Sequence, residues 1–201
     1  MSYSYKRETS YKKLFSNLSL LTDFYQLSMA YAYWKSHLSE RRAVFHLYFR
    51  RPPFQGGFTI AAGLEALVHF IEQFRYTDDD IAYLRTITHP NGTSYFDEPF
   101  LQMLQGLKLS VSIEAVPEGT VVFPYEPLIR VEGPLLQCQL LESPLLNLIN
   151  FPTLIATKAA RVKLAAQNDS VLEFGMRRAQ GIDGAITASR AAFIGGCDAT
   201  S

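Results

Sequence analysis

The chain is predicted to be an α/β protein: an α+β region first, then the start of an irregular α/β barrel. Three observations predict this. Amphipathic helical patterns fill much of residues 21–106. Short alternating apolar segments, split by Pro and Gly, occupy Leu109 to Leu135. From Val171 onward the rhythm becomes strand, glycine turn, helix, glycine turn, strand, which is the β/α repeat of a parallel sheet or barrel.

Taken in order, residues 1–20 read as a disordered tail, polar and with no apolar run of signal-peptide type. Thr22 suits the cap of a helix running to about Trp34, with a core stripe of Phe24, Leu27, Tyr31 and Trp34. Tyr25 falls off that stripe, in the first turn. AVFHLYFR (Ala43 to Arg50) alternates as a strand, and RRPPFQGG then breaks the chain. Phe58 to Ala62 is a short strand. The next helix carries Leu64, Leu67, Val68, Ile71 and Phe74 on one face. Asp79 or Asp80 suits the cap of a further helix. His89 to Gly92 is a turn, and Glu98 to Gly106 is helical.

VSIEAV, TVVFP and LIRVEG form an antiparallel region. Helix resumes after Pro134, with Leu140, Leu141, Leu145 and Leu146. A second helix follows Pro152, with Leu154, Ile155, Val162 and Ala166 inside and Lys158, Arg161 and Lys163 in solvent. Val171 to Phe174 is a buried-type strand. Asp183 suits the cap of the helix over AITASRAAF, and a strand or loop begins at Cys197. Domains are expected at 21–150 and 151–201. A barrel cannot close on so few units, so the chain is expected to be truncated.

Composition excludes several classes. The 201 residues carry 19 Lys plus Arg and 19 Asp plus Glu, a net charge of zero. That argues against a nucleic-acid binder driven by phosphate neutralisation. An anionic ligand must therefore be held by local arginines. Neither cysteine, Cys138 or Cys197, has metal or CxxC spacing, and both read as reduced buried thiols. The four histidines, His37 to His89, show no metal spacing, and no zinc site is expected. His46 and His69 read as structural. No apolar run is long enough to span a membrane, and a cytosolic protein is expected.

Three segments could carry chemistry. In Phe174-Gly-Met-Arg177-Arg178-Ala-Gln-Gly181, two arginines follow the carboxyl end of a strand, where α/β folds place ligands. A guanidinium fork suits carboxylate or phosphate. The plainer reading is surface arginines paired with Glu173 or Asp183. Tyr25 could stack on a flat ring or a partner, or be an ordinary part-exposed tyrosine. Gly195 to Ser201, with Asp198, Thr200 and Ser201, could meet a phosphate or ribose, or be a common glycine turn. The residues alone therefore imply an α/β protein with an arginine-lined anion site.

Together these segments resemble the nicotinate phosphoribosyltransferase family. LTDFYQLSMAYAYW (Leu21 to Trp34) resembles its opening helix, and FHLYFRRPPFQGGFTIAAGLE (Phe45 to Glu65) its next strand, loop and helix. The stretch Phe123 to Val162 is the longest likeness, and FGMRRAQGIDGAITASRAAFIGGCDATS (Phe174 to Ser201) completes it. The resemblance implies an N-terminal α+β domain followed by an α/β barrel of the type II phosphoribosyltransferase kind. It implies transfer of phosphoribose from phosphoribosyl pyrophosphate to nicotinate, giving nicotinate mononucleotide and pyrophosphate. ATP hydrolysis through a phosphorylated histidine, Mg2+ with the phosphates, and a homodimer with shared sites are implied too.

By position, Tyr25 would stack on nicotinate, in the partner's site. Phe174 would line the ring pocket, and Arg177 would bind carboxylate or phosphate with Arg178 beside it. Asp198, Thr200 and Ser201 would lie near the phosphoribosyl group. No catalytic residue or protein metal ligand is expected in this stretch, because the family's phosphorylated histidine lies beyond a segment like the one ending at Ser201. The 201 residues alone are accordingly expected to be inactive. Rival readings are a nicotinamide or quinolinate phosphoribosyltransferase, or a non-catalytic truncated isoform that pairs with a full-length subunit.

Overall fold

Helices do most of the packing, and one of them, 25 residues long, joins the two halves of the molecule. The computed structural model describes residues 18–200. In chain order the elements are α1 (Phe24–Lys35), β1 (Arg42–Leu47), β2 (Thr59–Ile60), α2 (Leu64–Gln73), α3 (Asp78–Arg85) and α4 (Glu98–Gln105). They continue with β3 (Ser112–Ala115), β4 (Val121–Val122), β5 (Ile129–Pro134), α5 (Leu135–Leu140), α6 (Glu142–Ala166), β6 (Leu172–Glu173), α7 (Gly181–Ile194) and β7 (Ala199–Thr200).

Two of the three segments of the expected antiparallel region, β3 and β5, join β1 in a three-stranded sheet in the order β1-β5-β3, with Phe45 opposite Val131 and Ile113 opposite the same residue, whereas the third, β4, lies outside it. β2 pairs antiparallel with β4, and β6 pairs parallel with β7. The main core lies between the three-stranded sheet and α1 to α5. Leu67, Leu84, Phe100, Leu104 and Leu141 are all buried to about their last atoms, at 0–1% exposure.

Several local readings need correction. Residues 1–17 and Ser201 lie outside the described residues. Leu18 and Leu20, expected in a disordered tail, instead pack against the core, and Ser19 Oγ accepts from the Arg75 N–H at 3.1 Å. Thr22 does not cap α1. Asp23 holds the cap position, and its carboxylate is taken by Ser143 Oγ at 2.7 Å. The fully buried side of α1 is Gln26, Leu27 and Ala30, turned toward α5. Phe24 is 44% exposed, while Tyr31 and Trp34 are part-buried in an aromatic cluster with Phe96 and Phe100. On α2 the buried residues are Leu67 and Phe70, and Val68 is exposed.

The α3 cap is Thr77, one residue before the acidic run. Its hydroxyl accepts from the Asp80 N–H, and the Asp80 carboxylate accepts from the Thr77 N–H, a reciprocal capping box. Asp183 likewise sits inside the first turn of α7, and Gln180 takes the cap position.

Pro152 does not start a helix but lies inside α6. A proline has no N–H to give the carbonyl four residues back, here Leu148. Gly63, at φ 104°, packs against that carbonyl: a Cβ on it would stand 2.2 Å from Leu148 O. The inner face of α6 is small and polar, with Ala156, Thr157 and Ala159, and Leu154 and Val162 point outward. Thr157 Oγ1 accepts from the Ile60 N–H at 2.9 Å and Thr153 Oγ1 from the Ala62 N–H at 3.2 Å. Two hydroxyls thus satisfy backbone donors along β2 that would otherwise be buried unpaired.

The last unit docks through small residues. A Cβ on Gly195 would meet Ala156 O at 2.2 Å, and Ala156 and Ala191 are buried together. Glu118 ties the unit to the first region. Its carboxylate accepts from the N–H groups of Gly63 (2.6 Å) and Leu64 (3.1 Å) and from both terminal nitrogens of Arg190 on α7 at 2.7–2.9 Å. The strand Val171 to Phe174, expected to be buried, leaves Leu172 and Phe174 exposed. Both cysteines are free and buried.

Candidate functional site

The parallel pair β6–β7 sets up an exposed loop. Asp198 fixes the two strands at their start: its carboxylate accepts from Lys163 Nζ at 2.7 Å and from the Val171 N–H at 2.8 Å. These bonds, Lys163 first, hold the Asp198 carboxyl below its usual range. At the other end of β6, Glu173 accepts from the Gly175 N–H and from Ser189 Oγ at 3.0 Å. That closes the loop around a 3-10 turn over Met176–Arg178.

Phe174, at 66% exposure, then faces outward beside Arg177 and Arg178, both exposed. Neither arginine makes an ion pair with the described residues, including Glu173 or Asp183. Their guanidinium donors are free to take an anion. Arg178 lines a hollow of about 440 Å³ together with Lys158, Glu173, Gly175, Phe151 and Ile155. Phe174 and Arg177 do not line this hollow but stand on the same exposed loop. An unpaired guanidinium and an ammonium at an apolar hollow, with a second guanidinium and a ring on the loop beside it, suit a flat aromatic anion or a phosphate.

The candidate residues do not all converge. Thr200 pairs in register with Glu173 and is exposed; Ser201 lies outside the described residues. Tyr25, half exposed, stands at the opposite end of the molecule's long helix, with its hydroxyl 3.5 Å from Oε1 of Glu142. The helical wall of the arginine hollow runs from Phe151 to Val162. That is about 13–30 Å further along α6 at 1.5 Å per residue. Tyr25 and Arg178 are therefore served by different parts of one chain.

Four contributors were not expected from the sequence. Lys158 was expected in solvent but lines the hollow, its Nζ 4.8 Å above the Phe54 ring. Glu142 and the buried Gln26 and Gln139 around it are not among the residues expected to carry chemistry. A signal was present: a lone Gln between Tyr25 and Leu27, and two Gln residues inside the apolar run LLQCQLL, are polar groups where a core needs partners.

The fold defines a class, an α/β protein of the type II phosphoribosyltransferase architecture. A crystal structure of human nicotinic acid phosphoribosyltransferase superposes with a TM-score of 0.81 at 44% identity, over 90% of this chain and 36% of that one. The nicotinate-nucleotide pyrophosphorylase of Pyrococcus furiosus superposes with a TM-score of 0.67 at 26% identity, over 91% of this chain and 38% of that one.

Residues 20–150 match the family described as the nicotinate phosphoribosyltransferase (NAPRTase) N-terminal domain, and the chain belongs to that family. The Caenorhabditis elegans nicotinate phosphoribosyltransferase is 50% identical over 90% of this chain and 32% of its own length. The chain spans about a third of the length of the curated relatives it matches.

Proposed function

We propose that these residues serve an enzyme that joins nicotinate to the phosphoribosyl group of phosphoribosyl pyrophosphate. In this reaction the ring nitrogen bonds to C1 of the ribose, the bond from C1 to pyrophosphate breaks, and the ring nitrogen becomes positively charged. Nicotinate mononucleotide and pyrophosphate leave. The observation that carries the reading is the unpaired arginine pair beside the exposed Phe174 ring, in a chain of this family.

Arg177 and Arg178 bind the carboxylate or a phosphate through charge-assisted bonds, and Phe174 covers the ring. Asp198, Thr200 and the following Ser201 belong to the chain segment that borders the phosphoribosyl group, and Asp198 braces that segment through Lys163 and the Val171 N–H. Tyr25 stacks on the nicotinate held by a second copy, which agrees with its distance from Arg178 along α6. The reading includes ATP as a co-substrate, residues 151–201 as the opening of a barrel domain, and a cytosolic homodimer. Among the described residues no helix is long and apolar enough to cross a membrane.

Magnesium would travel with the polyphosphate, bound by its oxygens and by water. The described residues contain no group of three or more His, Cys, Asp or Glu that could cage it, and Asp198 is already taken by Lys163. The chain's own part is to bind and orient the two anions.

The test is a substrate panel. The complete gene product is incubated with phosphoribosyl pyrophosphate, ATP and Mg2+, and with nicotinate, nicotinamide or quinolinate in turn. Pyrophosphate and mononucleotide are expected with nicotinate. Turnover of nicotinamide or quinolinate without nicotinate would overturn the reading.

A further inference from the structure

A chain of buried amides ends on Tyr25. Gln26 and Gln139 are buried at 0% and 4% exposure. Gln26 Nε2 donates to Glu142 Oε2 at 2.9 Å. Gln139 Nε2 donates to the same oxygen at 3.2 Å and to Gln26 Oε1, while the Tyr33 hydroxyl donates to Gln139 Oε1 at 3.3 Å. One carboxylate oxygen of Glu142 is thus held from the inside. The other, Oε1, is left facing the Tyr25 hydroxyl at 3.5 Å.

The next residue clamps the same turn. Ser143 Oγ donates to Asp23 Oδ2 at 2.7 Å and accepts from the Asp23 N–H at 3.3 Å. Burying two glutamines is costly unless every group is bonded. Here the whole arrangement converges on one half-exposed phenol.

We infer that Glu142 is a positioning residue: through the Tyr25 hydroxyl it fixes the ring's orientation and makes its face more electron-rich. This rests on the reading that Tyr25 stacks on nicotinate. A phenol that donates to a carboxylate carries more electron density on its ring. Such a face attracts a partner ring more strongly as that ring becomes positively charged. Nicotinate does so when its nitrogen is joined to ribose. Partial desolvation, then the negative Glu142 and Asp23, push the Tyr25 phenol above its usual range, so it stays protonated and able to donate.

The experiment uses the complete gene product, with kcat/KM for nicotinate, KM for phosphoribosyl pyrophosphate and Tm measured for each variant. Tyr25→Ala is expected to lower kcat/KM for nicotinate by about thirtyfold, through loss of stacking and desolvated contact. Tyr25→Phe keeps the ring and loses the link, and is expected to lower it by about fivefold, with Tm and the other KM unchanged. Glu142→Gln is expected to match that fivefold loss, and to add nothing in the Tyr25→Phe background, because both changes remove one interaction.

Wild-type behaviour of Tyr25→Phe, alongside a large loss in Tyr25→Ala, would overturn the role of Glu142 and leave stacking intact. An undiminished Glu142→Gln effect in the Tyr25→Phe background would overturn it too. A wild-type Tyr25→Ala would remove the stacking reading and the inference with it.

Discussion

The two ends of α6 sit in different physical surroundings. Its first turns, around Leu141, Leu145 and Ile149, belong to a core with interlocked aromatics: Phe100 is fully buried and meets Tyr31 at 4.9 Å and Phe96 at 5.4 Å between ring centroids. Its later turns pack on α7 through alanine and glycine, and most of the large apolar side chains of that unit stay outside. Leu172, Phe174, Met176, Ile182, Ile186 and Phe193 are each at least half exposed. The first region spends its aromatics on stability. The second docks by close backbone approach and a few ion pairs, which leaves its ring and guanidinium groups free for a ligand. The residues proposed to bind ligand sit where the scaffold is least self-absorbed.

The sharpest way to break this contrast is to truncate one phenylalanine in each region. Phe100→Ala is expected to destabilise by about 3–5 kcal/mol in urea unfolding, as a fully buried ring leaves a cavity. Phe174→Ala is expected to change stability by no more than about 0.5 kcal/mol, since its ring is largely in water already. Similar losses from both would show that the second region has a core of the same kind.

A smaller effect is expected at the joint. The two-pronged bond from Arg190, and then the N–H groups of Gly63 and Leu64, hold the Glu118 carboxyl below its usual range. A depressed carboxyl stabilises the folded chain above its unfolded pKa and loses that contribution as pH falls through the folded value. Glu118→Gln is expected to cost about 1–2 kcal/mol at pH 7, reduced from a buried bond's worth because Arg190 is part-exposed. The gap between wild type and variant should begin to narrow as pH falls past the ordinary glutamate value of about 4.3, and should close only below the depressed folded value. A gap independent of pH would show that the carboxylate's charge does not hold the two regions together.

Much of this was legible in the sequence where local chemistry and packing agree. The β5 segment LIRVEG, the helix from Glu98 and the strand–glycine–helix–glycine–strand unit all form within a few residues of their expected bounds. What failed needed partners distant in the chain. Pro152 sits within a helix because tertiary packing around Gly63 and Leu148 outweighs a local breaker. Gln26 is buried because Gln139 and Glu142, more than a hundred residues away, satisfy it. The arginine loop was visible from its place after a strand. That Glu173 would be engaged by Gly175 and Ser189, leaving both arginines without an acid, was not.

The central claim is that Arg177 is an anion anchor rather than a structural surface residue. The direct measurement is turnover and thermal unfolding of Arg177→Ala in the complete gene product. Loss of one charge-assisted anchor is expected to cost about 2 kcal/mol of transition-state stabilisation, a roughly thirtyfold fall in kcat/KM, with unfolding unchanged. Wild-type turnover would contradict the account.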